Sequence, residues 1–374
     1  MKTLRTPDVL VIGGGPAGLS AAVEAASLGC HVVVVNEDLA LGGQLIKQTH
    51  KFFGSAAEHA GTRGIEIARI LVSELERFGD RVEAYTNCSA LGYYRDGVVT
   101  CMVGEERYFK AKPKKVVVAT GALEKLIPFL GNDLPGVYGA GAVQTLMNVY
   151  GVKPAKRVLM VGAGNIGLIV SYQLLQAGVG VAAIVEFAPK VGGYWVHAAK
   201  VRRLGVPIYL RHTVKRAIGE SAVEGAVIQA VDERGAFVGD ERSIECDVIC
   251  MAVGLTPTCE LLWQAGCKMC YVPELAGHVA VRDRTMRTSC PDIWIAGDAA
   301  GIEEASTAMV EGRIAGLASA HSLGHVDEEV FEEKLKGYWR RLDALRGGEA
   351  GSKARSGISK IMIETWEGRG VEVR

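Results

Sequence analysis

The chain has 374 residues, 49% of them hydrophobic and 6% aromatic, and its 42 Lys and Arg balance 42 Asp and Glu. That length exceeds one comfortable core, so two domains are expected. A neutral chain gives no electrostatic reason to bind nucleic acid or an anionic membrane. Its nine cysteines are scattered in apolar stretches, and residues 1–8 contain no export-type apolar segment. Structural disulfides are therefore not expected, and a reducing cytoplasm is the expected setting.

In chain order, residues 9–12 read as a buried strand running into Gly13-Gly14-Gly15-Pro16-Ala17-Gly18, which fits G-x-G-x-x-G. Gly13 serves a tight turn, Gly15 a close backbone approach to a pyrophosphate, and Gly18 the packing of the next helix on the sheet. The pyrophosphate would sit on the free amides at that helix's N-terminus, beside Pro16 and Ala17. A helix over 19–28 and a strand over 31–35 complete a βαβ unit. Next stand Asn36 and Glu37, either of which could meet a ribose hydroxyl: counting from Gly13 points to Asn36, counting back from Gly42 points to Glu37. Gly42-Gly43-Gln44 suggests a second close approach of backbone to ligand. Lys47, Thr49 and His50 are donors that could line the reactive ring of a cofactor.

Apolar spacing predicts a helix over 64–78 and short strands over 81–103. A buried strand over 115–119 ends in Ala119-Thr120-Gly121, at the carbonyl end where an α/β sheet binds its ligand. Pro128, Pro135 and the glycines of 131–141 suggest a crossing between domains. The opening pattern then returns: a strand over 157–161, Gly162-Ala163-Gly164-Asn165-Ile166-Gly167, a helix over 168–177, and a strand over 181–185 ending at Glu186. Residues 158–185 carry no charge and could span a bilayer by length, but the repeated glycines argue for a buried strand–helix–strand. Short strands are expected over 204–228; residues 244–253, holding Cys246 and Cys250, read as a core strand, with 247–253 its buried part, closed by Gly254. Cys267-Lys268-Met269-Cys270 is a C-x-x-C outside any βαβ start, and no second pair offers metal spacing, so no metal site is expected. A strand over 291–296 leads to Gly297-Asp298. A small-residue helix over 306–320 follows, its N-terminus at Ser306 and Thr307 pointing at whatever Asp298 contacts. His321 and His325 read as surface residues. A helix over 328–345 is either a partner-docking face or packed on its own domain. Residues 347–359 read as flexible and basic, and 361–366 as apolar again.

These motifs, in this order from about residue 7 to 323, resemble the flavoproteins with two dinucleotide-binding domains, the superfamily that includes thioredoxin reductase. The resemblance implies an α/β fold of two Rossmann-like domains, with an NAD(P) domain inserted in an FAD domain. Its expected boundaries are 1–123 and 256–325 for the FAD domain, 124–255 for the NAD(P) domain and 326–374 for a helical tail. It also implies that Asp298 binds the ribityl and phosphate end of FAD, and that the Glu186 carboxylate favours NAD by repelling a 2′-phosphate. Unlike the disulfide reductases, this chain has no cysteine pair beside Gly42-Gly43. Gly42-Gly43-Gln44-Leu45, residues 50–54, and 297–305 with Glu311-Gly312-Arg313 are similar to the flavin subunits of amine and amino-acid dehydrogenases. Those include dye-linked proline dehydrogenase, opine oxidase, hydrogen cyanide synthase and the large sarcosine oxidase subunit. That likeness implies an amine or amino-acid substrate and partner subunits, among them a second flavin subunit. Residues 292–374 contain no cysteine, so an iron–sulfur centre would come from another chain.

Overall fold

In a computed structural model, described for residues 4–349 and 351–366, the chain divides into two compact units. One joins residues 1–123 to 256–374, and the other is 124–255.

The first unit is built on a five-stranded parallel sheet. Its spatial order is Ile293–Ile295, Lys115–Val118, Val9–Ile12, Val32–Val35, Val82–Tyr85. Nearly every residue of its first four strands is Val, Ile or Leu and fully buried, as expected of parallel strands covered on both faces. The order reverses direction beside Val9–Ile12, and such switch points open the crevice where α/β sheets hold ligands. Two helices, Pro16–Ser27 and Ala305–His321, pack on this sheet and on each other. Their contact is close because Gly312 and Gly316 face the Ala17 and Ala21 carbonyls; a β-carbon there would stand 2.0 and 2.3 Å from those oxygens.

The second unit repeats the plan. Its parallel sheet runs Val137–Gly139, Val248–Met251, Arg157–Val161, Gly180–Glu186, Ile208–Leu210, and carries a three-stranded antiparallel appendage. The uncharged run 158–185 resolves into strand, helix (Asn165–Gln176) and strand. Among the described residues no helix is long and apolar enough to cross a membrane.

Parts of the chain fold differently from what the sequence suggests. The segment 131–141 is not a crossing: it belongs to the second unit, where Val137–Gly139 is a strand and Ala140–Asn148 a helix. Residues 244–253 are not one strand. Asp247 turns its carboxylate onto the Lys156 and Arg157 amides (2.8 Å each), which breaks the chain between Glu245 and Val248. Residues 347–359 contain a helix, Ser352–Ile358, followed by the short strand Met362–Ile363, which pairs with Arg282–Asp283.

The tail helix Glu328–Leu345 packs on its own unit. Phe331, Leu335 and Leu342 are buried against the core. Lys334 Nζ (2.5 Å) and the Tyr338 hydroxyl (2.7 Å) both donate to the buried Glu24 carboxylate in the first helix. His321 stacks on Phe331 and pairs with Glu328, so it belongs to this packing.

Candidate functional site

At the carboxyl end of the first sheet, glycines bring backbone against backbone. Gly13 has φ +110°, and a β-carbon on it would sit 2.1 Å from the Ala119 carbonyl. On Gly18 the β-carbon would sit 1.8 Å from the Gly13 carbonyl. Gly42 donates its amide to Gly14 O (2.8 Å), and a β-carbon on Gly43 would lie 2.7 Å from Gly15 Cα. The result is a glycine cradle at the N-terminus of helix Pro16–Ser27. Its N-cap is Gly15, which makes no side-chain cap, and such a helix start suits an anion.

The surrounding predicted residues converge on the same sheet end. Thr120 Oγ1 donates to the Thr258 carbonyl (2.7 Å), and Gly121 O accepts the Thr258 amide (3.0 Å). Gln44 and Lys47 lie on the turn of helix Gly43–Lys47, with Lys47 buried; Thr49 and His50 follow it. Gly297 has φ +71° and packs against Ala17, where a β-carbon would come within 2.8 Å of the Ala17 methyl. Ser306 and Thr307 are buried in the first turn of helix Ala305–His321, the Thr307 hydroxyl donating to Glu304 O. Asp298 accepts the Glu303 amide at 3.3 Å, and burial pushes its carboxyl up to about 7.

Asn36 and Glu37 part company. Asn36 is buried, and its Oδ1 accepts the Gly14 amide (3.0 Å) while its Nδ2 donates to the Asp38 and Ala40 carbonyls (3.1 and 3.0 Å). Glu37 is exposed. Asn36 is thus a brace between the glycine turn and the next loop, and only an amide satisfies all three partners. Asn36→Asp would set a carboxylate against two carbonyls. We expect a loss of about 1–3 kcal/mol, seen as a lower urea midpoint; an unchanged midpoint would refute the brace.

The second unit reproduces this construction. A β-carbon on Gly162 (φ +108°) would meet the Ala252 carbonyl at 2.3 Å, and one on Gly167 the Gly162 carbonyl at 2.1 Å, while the space beside Gly164 is open. Asn165 and Ile166 begin helix Asn165–Gln176. Glu186 stands where Asn36 stands in the first unit, accepting the Ala163 amide (2.7 Å) and the Ala188 amide (2.8 Å). Gly254 (φ +122°) follows the strand Val248–Met251. A feature that sequence reasoning missed is Gly192-Gly193, six residues beyond Glu186 as Gly42-Gly43 is beyond Asn36. The Gly193 amide donates to Ala163 O (2.9 Å), and the Tyr194 amide to Asn165 Oδ1 (2.7 Å). The repeated spacing was the available signal.

Residues 7–312 match the pyridine nucleotide-disulphide oxidoreductases. The chain belongs to that family. It is accordingly an FAD-dependent oxidoreductase of a family that uses FAD and NAD(P)H. It is 30% identical to an opine oxidase subunit of Agrobacterium tumefaciens (strain Ach5), over 88% of this chain and 68% of that one. Among solved structures it is similar to thioredoxin reductase of T. acidophilum, at TM-score 0.69 and 22% identity, covering 85% of this chain and 99% of that one. It is likewise similar to L-proline dehydrogenase of P. horikoshii, at TM-score 0.67 and 24% identity, covering 90% and 60%.

All nine cysteines are free thiols. Cys267 turns away from Cys270 and contacts Thr288 Oγ1 (3.4 Å) and Cys290. Hydrogen bonding from Cys267 lowers the Cys290 thiol to about 7.

Proposed function

We propose that this chain is the FAD-bearing, NAD-linked component of an amine or amino-acid dehydrogenase complex, moving reducing equivalents between a partner's flavin and NAD(H). The observation that carries this reading is the pairing of two glycine-built dinucleotide cradles with a Gly42–Lys47 segment that contains no cysteine. The disulfide reductases that this chain resembles carry a cysteine pair either there or in the middle domain, and this chain has none beside Gly42-Gly43 and none near Gly162. The similarity to a chain named as one subunit of opine oxidase supports both the multisubunit setting and the substrate class.

In this reading FAD, when bound, supplies hydride acceptance and donation, and the chain supplies position. Gly13, Gly15, Gly18, Gly42 and Gly43 admit its pyrophosphate, Glu37 meets the adenosine ribose, and Asp298 the ribityl end. The N-terminus of helix Ala305–His321 directs its positive dipole end at the flavin, favouring charge on the reduced ring. Gly162, Gly164 and Gly167 admit NAD(H), with the Glu186 carboxylate opposing a 2′-phosphate. Lys47 and His50 are the candidate donors to the reactive ring.

Anaerobic titration of the purified yellow chain tests the proposal. NADH is expected to bleach the flavin, and proline, sarcosine or an opine is not expected to do so until the partner chains are added. Direct bleaching by an amine would move substrate oxidation into this chain. Rapid reoxidation by a soluble acceptor without partners would favour a stand-alone NADH-dependent flavin reductase, a reading that the presence of both cradles in one chain also allows.

A further inference from the structure

The last turn of the tail helix reaches a buried charge cluster directly behind the Gly297–Ala300 turn. Arg346 donates through Nε and Nη2 to both oxygens of Glu303 (2.9 and 2.6 Å) and through Nη2 to Glu311 Oε1 (2.5 Å). Glu311 turns its other oxygen to the Gly297 amide (3.0 Å). Arg282 closes the ring, donating to the Ala300 carbonyl (2.6 Å) and lying 3.5 Å from Glu311. Arg346, Glu311 and Arg282 are 4%, 2% and 1% exposed. Every acid that Arg346 holds thus holds the Asp298 segment in turn: Glu311 through the Gly297 amide, and Glu303 through its own amide on Asp298.

Burying two positive and two negative charges is an expensive way to gain stability, because desolvation offsets most of their attraction. Such a network is better suited to setting one backbone geometry. The same helix also grips the loop that follows the first cradle. Arg341 pairs with the buried Glu58, and Leu345 lies 3.6 Å from a β-carbon position on Gly54, beside Ser306. Arg346 lies beyond residue 312, where the family match ends.

We propose that Arg346 is a positioning residue for FAD, fixing the Gly297–Ala300 turn so that the Asp298 carboxylate is presented to the cofactor. This rests on the reading of Asp298 as an FAD-holding residue. The tail is then part of the cofactor site of this chain, acting through Glu303 and Glu311.

The test compares FAD dissociation constants, from flavin fluorescence, with melting temperatures of the full chain for R346M, R346K, L342A and D298A. R346M is expected to weaken FAD by about tenfold or more, as loss of a charge-assisted pair would. R346K, which keeps the charge but loses the two-pronged geometry, is expected to fold and still to weaken FAD, by about threefold or more. Leu342→Ala opens a cavity in the same helix without touching the cluster. It is expected to lower the melting temperature at least as much while leaving FAD affinity within about twofold. If R346M and L342A lose FAD in proportion to lost stability, Arg346 is only structural and the proposal fails. If R346M does not fold, wild-type FAD affinity in R346K would likewise overturn it. Undiminished FAD binding by D298A would instead refute the reading of Asp298, separately from the role of Arg346.

Discussion

Gly312→Ala is expected to cost this chain about 3 kcal/mol or more. The β-carbon would lie 2.0 Å from the backbone oxygen of Ala17, and one on Gly316 2.3 Å from that of Ala21. Neither obstacle is a flexible side chain, so the two helices must separate. Separation also disturbs the cofactor turn, because Ala17 is the residue on which Gly297 packs. Gly337, in the tail helix, is the control: nothing lies within 4 Å of its β-carbon position. Gly337→Ala is expected to stabilise by roughly 0.5–1 kcal/mol through helix propensity. Urea denaturation at fixed FAD concentration reads both; equal effects would mean that the helix contact is looser than described.

The second large effect is a pH dependence that originates at Asp298. Its carboxyl is raised from 3.8 to about 7 by burial, with the neighbouring Glu311 and Glu303 charges acting in the same direction. A raised acid binds more protons folded than unfolded. Its contribution is therefore greatest below about pH 4 and is lost as pH rises toward 7. At about 1.4 kcal/mol per pH unit, the loss approaches 4 kcal/mol. FAD-stripped Asp298→Asn protein should therefore be more stable than stripped wild type above pH 7, the difference vanishing near pH 4. The same variant should bind FAD poorly, a stability gained at the expense of function. Parallel stability curves for the two proteins would show that Asp298 is not the source.

The glycine turns were legible in the sequence because each is a local rule: a strand, a fixed spacing, a helix. Counting alone could not separate the roles of Asn36 and Glu37, because two anchor points disagreed by one residue, and only the three amide contacts of Asn36 distinguish them. The helix Ala140–Asn148 was hidden by Gly139 and Gly141. Its first turn is held by Glu124, which accepts the Gly141 amide (2.6 Å) from 17 residues away. The tail helix itself was readable from its apolar period. Its ionic partners were not, since Arg341 and Glu58 are 283 residues apart and Arg346 and Glu303 are 43 apart. No short-range pattern encodes such pairs.

The first sheet also has a schedule. Ile293–Ile295 adds to Lys115–Val118, with Ile293 beside Val116, so a strand made early must wait for an edge partner made 177 residues later. At about 5–20 residues per second, a nascent chain spends on the order of ten seconds or more with that edge uncovered. The inserted unit, residues 124–255, is complete on the ribosome during that wait. The discontinuous unit must therefore assemble after the inserted one, and its cradle can accept a cofactor only once the strand Ile293–Ile295 has been made.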